Sequence, residues 1–167
     1  MTTPVQVVVM GVSGCGKTSV GVALGKALRL RFVDGDDLHP HANRDKMASG
    51  IPLTDDDRWP WLELVGQTLA QGTDAGTAVA CSALKRVYRE RILAAAPKTF
   101  FVHLHGTREL LAERIGQRKN HFMPLSLLDS QLATLEPLGA DETGVVLDIS
   151  LPLDEIVAQA VSALERA

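Results

Sequence analysis

The sequence has only two cysteines, Cys15 and Cys81. That is too few for a disulfide framework and fits a reducing compartment. Basic charge is not in excess either. Lys and Arg number 17 against 20 Asp and Glu, for a net charge of −3 and a pI of about 5.9. A general nucleic-acid binder is therefore not expected, because counterion release needs a basic surface. No apolar run reaches the ~18 residues that span a bilayer, so no membrane partner is expected. Met1-Thr2-Thr3-Pro4 lacks the basic start and apolar stretch of a signal peptide, and a cytoplasmic location is expected. No internal repeat or low-complexity tract is visible.

What remains is 167 residues, 46% apolar and 22% charged, the composition of one globular domain. A chain of this size buries roughly 70% of its unfolded surface, enough for a core without disulfides or a structural metal. Val5-Gln6-Val7-Val8-Val9-Met10 reads as a parallel strand buried on both faces. A helix is expected from about Lys17 to Leu28, then a short strand Arg31–Asp34. Further strands are expected over Thr77–Cys81, Thr99–Leu104 and Val145–Ile149. A last helix starts near Pro152, with the stripe Leu153, Ile156, Val157, Ala160, Val161, Leu164. Strands alternating with helices predict a parallel α/β sheet covered on both faces. Two stretches break the alternation, residues 35–60 and 117–125, and inserted loops on such scaffolds usually carry binding and gating groups.

Gly11-Val12-Ser13-Gly14-Cys15-Gly16-Lys17-Thr18 matches G-x-x-x-x-G-K-[ST] in full, between an apolar strand and an amphipathic helix. Glycines let backbone N–H groups curve around phosphate oxygens, and the helix start adds its positive dipole end. Lys17 reaches the β- and γ-phosphates, and the Thr18 hydroxyl can ligate Mg²⁺. Cys15 is a spacer, although a thiol at a helix start can have a lowered pKa. The loop specifies a nucleoside triphosphate and not its use. Asp141-Glu142-Thr143-Gly144 spells a GTPase D-x-x-G but precedes a strand, and the guanine-reading N-K-x-D is absent. The chain is short for a motor, so its size favours a small-molecule kinase. A non-catalytic ATP-binding module is the alternative.

The acceptor side is sought in Asp34-Gly35-Asp36-Asp37-Leu38-His39-Pro40. In open parallel sheets, ligands bind beyond the carboxyl ends of the strands, the rim that also carries the phosphate loop. A carboxylate there can take the proton of an attacking hydroxyl. Arg58 either pairs with Asp55 or Asp56 or clamps an anionic acceptor. Trp59 and Trp61 are read as packing anchors. Lys85 and Arg86, at a strand-to-helix turn, are placed to meet an anion, whereas Arg89 and Arg91 read as a solvated face. His103 and His105 read as the end of a buried strand. Arg114 and Arg118 fall on one helix face beside the second irregular stretch, where arginines can close on a transferring phosphoryl group.

Taken together, the phosphate loop, the Asp34–Pro40 turn, Lys46-Met47, Gly50-Ile51-Pro52-Leu53-Thr54-Asp55-Asp56-Asp57-Arg58-Trp59-Pro60-Trp61-Leu62, Cys81-Ser82-Ala83-Leu84-Lys85-Arg86, His121-Phe122-Met123-Pro124 and Leu135-Glu136-Pro137-Leu138 resemble the small gluconokinases, over about residues 5–157. Cys15 stands where that family commonly has serine, Thr18-Ser19 reverses its Ser-Thr order, and Asn120 replaces a familiar Gly. The resemblance implies a three-layer α/β/α P-loop kinase fold with a five-stranded parallel sheet. It implies an acceptor-binding helical segment at about 35–75 and a lid at about 117–125. It also implies ATP and Mg²⁺, transfer to the 6-hydroxyl of D-gluconate, and a homodimer. Site residues follow on the matching positions. Residues 11–19 (Gly11, Val12, Ser13, Gly14, Cys15, Gly16, Lys17, Thr18 and Ser19), with Arg114 and Arg118, are expected to bind nucleotide. Asp36, His39, Arg58, Lys85, Arg86 and His121 are expected to bind the acceptor. Lys17, Asp36 and Arg118 are expected to act in catalysis. Asp36 matches the acceptor-binding Asp of the related shikimate kinases, with Asp34 as its competitor; shikimate or another small acceptor is the alternative substrate.

Overall fold

The computed structural model describes residues 4–72, 74–117 and 124–167. Its strands are β1 (Val5–Met10), β2 (Arg31–Asp34), β3 (Gly76–Ala80), β4 (Phe100–His105) and β5 (Gly144–Asp148). They form one sheet in the order β2-β3-β1-β4-β5, and every neighbouring pair is parallel. The helices are α1 (Lys17–Leu28), α2 (His41–Ala48), α3 (Asp55–Ala70), α4 (Arg86–Ala95), α5 (Arg108–Gly116), α6 (Leu125–Thr134) and α7 (Leu153–Arg166), with a 3₁₀ turn at Gly35–Leu38. The expected β1, α1 and β2 are met to the residue, the last helix starts at Leu153 beside the expected Pro152, and the other three expected strands are displaced by one.

Strand pleating divides β1 between two cores. Val7 and Val9 face a cluster with Val20 and Leu24 of α1 and Ile156 and Ala160 of α7. Val8 and Met10 face Leu62 and Val65 of α3 and Tyr88 and Ile92 of α4. The result is the expected three-layer α/β/α arrangement, with β1 central and buried.

Residues 35–60, read from local signals as irregular, hold α2 and the start of α3, within the helical segment that the resemblance implies at about 35–75. Asp55, Asp56 and Asp57 are helical because they occupy the first turn of α3, where the dipole favours carboxylates. Thr54 caps the helix: its hydroxyl accepts the Asp57 N–H at 3.2 Å while Asp57 accepts the Thr54 N–H at 2.9 Å. Lys46 of α2 reaches the same carboxylate at 2.7 Å. These contacts hold the Asp57 pKa down at about 2. Pro60 sits in the second turn, and the helix continues through it.

His103 is buried in β4 as expected, whereas His105 is exposed. Burial first, then His105 and Arg89, push the His103 pKa down to about 4, and its Nδ1 has no partner. The folded protein resists protonation there while the unfolded chain accepts it below about pH 6.5, so stability falls as pH drops from 6.5 through 4. Replacing His103 with Leu removes this contribution. Urea midpoints at pH 7 and pH 4.5 should differ less in His103→Leu than in the wild type; an unchanged difference would assign the acid sensitivity elsewhere.

Candidate active site

The phosphate loop leaves β1 and curls back into α1. Gly16 caps the helix at φ 93°, and no side chain caps it. That conformation suits glycine, and it leaves the first N–H groups of α1 without an internal acceptor, the arrangement that receives an anion. Lys17 Nζ donates to the carbonyls of Gly11 at 2.9 Å and Val12 at 3.2 Å. Thr18 and Ser19 are exposed. Cys15 is buried behind the loop, and burial raises its thiol pKa against the pull of Lys17. The lowering that a helix start can give does not occur, because desolvation exceeds the Lys17 contribution.

The acidic turn follows β2. Asp34 Oδ1 accepts the Asp36 N–H at 3.0 Å, so Asp34 caps the turn. Gly35 is required by close approach, since a Cβ there would collide with the Ala80 carbonyl oxygen of β3. Trp61 Nε1 donates to Gly35 O at 2.8 Å and fixes the turn from α3. Trp61 is buried, a packing anchor as read from the sequence. Asp36 is left free to project. Its side chain opens onto a cleft, yet the surrounding protein still desolvates it, and burial first and Asp34 next raise its pKa while Lys17 opposes.

That cleft, about 470 Å³, brings the two halves together. Ser13, Gly14, Gly16, Lys17 and Thr18 line one side, and Asp34, Asp36 and Met47 another. Ser82 after β3 and Leu127 and Gln131 of α6 complete it. Gln131 was not apparent from the sequence, because it belongs to no motif and reaches the loop only through the fold. A cradle of backbone amides, a lysine and the Thr18 hydroxyl fits a nucleoside triphosphate with its Mg²⁺.

Other expected residues lie outside this cleft. His39 is buried and stacks on Trp61 at 4.1 Å, and its Nδ1 lies 3.2 Å from Asn43 Nδ2. Burial, then Arg44 and Arg58, lower its pKa to about 4, so it is neutral at pH 7. Arg58 and Lys85 both face Asp55, at 3.5 and 3.6 Å, and Tyr88 donates to the same carboxylate at 2.5 Å. Arg86 is engaged by Asp141 through both terminal nitrogens. Arg114 donates to the Ile149 carbonyl at 2.6 Å. Arg118 and His121, with most of the expected lid, lie outside the described residues.

Arg89 corrects a sequence expectation. It is fully buried, not solvated. It holds Glu142 at 2.7 and 3.0 Å and the Ala83 carbonyl at 2.8 Å. Ala83 adopts φ 45°, strained for a residue with a Cβ, and Arg89 pins that turn between β3 and Lys85. Arg91 pairs with Glu63 and lies over Trp59.

The shikimate kinase family model matches residues 13–136. A probable gluconokinase from Xenopus tropicalis is 42% identical over 177 aligned residues, covering 96% of this chain and 93% of the relative. A gluconokinase from Gluconobacter oxydans is 50% identical, covering 83% of this chain and 79% of its own. The crystal structure of a gluconokinase from Sinorhizobium meliloti superposes with a TM-score of 0.88 at 50% identity, covering 99% of this chain and 94% of that one. With a phosphate loop and an acidic turn facing each other across one cleft, and with likeness of this extent, the chain belongs to the gluconokinase family of shikimate-kinase-like enzymes.

Proposed function

We propose that the protein transfers the γ-phosphoryl group of ATP to the 6-hydroxyl of D-gluconate. The observation that carries this is the position of Asp36, which opens into the cleft lined by Lys17 and Thr18 with a carboxyl made more basic by burial and by Asp34. The loop amides and Lys17 would hold the phosphates, and the Thr18 hydroxyl would hold Mg²⁺, which when bound supplies positive charge against the developing negative charge. Asp36 orients the 6-hydroxyl and takes its proton. The oxygen forms its bond to the γ-phosphorus as the bond to the β,γ-bridging oxygen breaks, and ADP leaves.

Around Asp55, two cations share one carboxylate, so the cluster carries a net charge of +1. That residual charge suits Arg58 and Lys85 to an anionic acceptor such as the gluconate carboxylate. His39 supports this side as a neutral ring, and Arg86 and His121 are further acceptor candidates. Arg114 and Arg118 are assigned to the nucleotide. The acidic pI and the absence among the described residues of a helix long and apolar enough to cross a membrane suit a cytoplasmic enzyme with no nucleic-acid or membrane partner. The family resemblance adds a homodimer.

The test is ATP consumption against a panel of D-gluconate, other sugar acids, shikimate and nucleoside monophosphates. Gluconate should be preferred, and turnover with shikimate or a nucleotide alone would replace it as acceptor. Binding of ATP with no acceptor-dependent turnover would favour a non-catalytic module.

A further inference from the structure

Gln131 lies on α6, 118 residues from the phosphate loop in sequence, and its side-chain oxygen accepts the Ser13 N–H at 2.7 Å. The other end of the same peptide unit is the Val12 carbonyl, which accepts from Lys17 Nζ at 3.2 Å. A peptide unit is planar and turns as one body. The Val12–Ser13 plane is therefore held at its N–H by Gln131 and at its C=O by the Lys17 ammonium and, at 3.3 Å, by the Cys15 N–H. Rotation of that plane would carry the carbonyl away from Lys17 and leave the Ser13 N–H without its acceptor. Within the loop the Cys15 N–H, at 3.3 Å, is the restraint on that plane, and Gly11 and Gly14 on either side, at φ 144° and 84°, add little stiffness of their own.

The helix that supplies Gln131 is itself fixed. Leu128 is fully buried in the core, and Asp129 accepts from Arg108 at 2.6 and 3.1 Å. Residue type matters as well. A glutamine offers a neutral carbonyl acceptor, whereas a glutamate would accept the same N–H but place a negative charge beside the phosphate cradle.

We propose that Gln131 is a positioning residue for phosphoryl transfer, which fixes the Val12–Ser13 peptide and through it the Lys17 ammonium. This rests on the reading of Lys17 as the β/γ-phosphate ligand. It also adds a role for α6 that the phosphate-loop motif does not contain.

A double-mutant cycle tests it, using Mg²⁺ and the non-hydrolysable analogue β,γ-imido-ATP with wild type, Gln131→Met, Lys17→Met and the double variant. Gln131→Met should weaken analogue binding about five-fold when Lys17 is present and by less than about two-fold when Lys17 is methionine, since the effect acts through the ammonium. In the same variant, kcat should fall by about ten-fold with the gluconate KM within about two-fold, and thermal stability should match the wild type. Equal penalties in both backgrounds, or no penalty in either, would overturn the proposal while leaving the phosphate role of Lys17 intact. Undiminished binding in Lys17→Met alone would remove that role and the proposal with it. If Gln131→Met fails to fold, Gln131→Asn, too short to reach Ser13, takes its place with the same expected outcomes.

Discussion

Lys17→Ala is expected to lower kcat with gluconate by at least about 10²–10³-fold, the cost typical of removing one preorganised group from where charge develops in a transition state. In the structure its ammonium touches only the Gly11 and Val12 carbonyls, with no ion pair among the described residues to consume its charge. Those two bonds hold it at the mouth of the amide cradle, where the β- and γ-oxygens of a nucleotide would meet it. Alanine is a good helix former and Lys17 opens α1, so the fold should be unaffected. Steady-state kinetics beside a thermal melt give the answer. A folded variant that keeps more than about a tenth of the wild-type rate, a loss below ~1.4 kcal/mol, would contradict the phosphate role of Lys17.

Asp36→Asn is expected to cost about 10²–10⁴ in kcat, the usual value of a positioned general base. Asparagine keeps the shape and removes the proton acceptor, so the gluconate KM should move much less than kcat. Two neighbours serve as controls. Asp34→Asn retains an oxygen for the Asp36 N–H and should be only mildly impaired. Asp37, exposed on the turn, should tolerate Asn within about two-fold. Stability should move the other way. Burial raises the Asp36 pKa, so at neutral pH the folded state carries a carboxylate that is harder to ionise than in the unfolded chain. Stability from this group is therefore lost as pH rises from its unfolded value through the raised folded one, and it stays lost at pH 7. Asp36→Asn should melt no lower than the wild type. The raised pKa also shifts the acid limb of kcat/KM upward from where an unperturbed aspartate would put it, and this limb should disappear in the variant. A nearly wild-type Asp36→Asn beside a dead Asp34→Asn would exchange the two roles.

Local signals carried much of this molecule. The run Val7–Met10, alternating between two cores, and the start and end of α1 could be read because periodicity and glycine punctuation are properties of neighbouring residues. The phosphate loop was legible for the same reason, and the place of Asp36 on the cleft could be read because β2 and β1 end on the same rim. Other features depend on contacts distant in sequence. Arg89 looks like any basic helix residue until Glu142, 53 positions away, neutralises it in the interior. Gln131 carries no motif, and only the packing of α6 brings it to Ser13. The stretch before Trp61 looked irregular because three aspartates and a proline break most helices. Here the aspartates occupy the first turn of a capped helix, where carboxylates are favoured, and the helix continues through Pro60 at the loss of one intrahelical donor. The sharing of Asp55 by Arg58 and Lys85 needs α3 and α4 side by side, which no local pattern encodes.

The most direct test of the account is the identity of the product. The enzyme is incubated with ATP, Mg²⁺ and D-gluconate labelled with ¹³C at carbon 6, and the reaction is followed by ³¹P and ¹³C NMR. The predicted result is a single phosphomonoester whose phosphorus couples to the labelled carbon, formed one-for-one with ADP. Release of inorganic phosphate without an ester, or an ester on any other carbon, would contradict it.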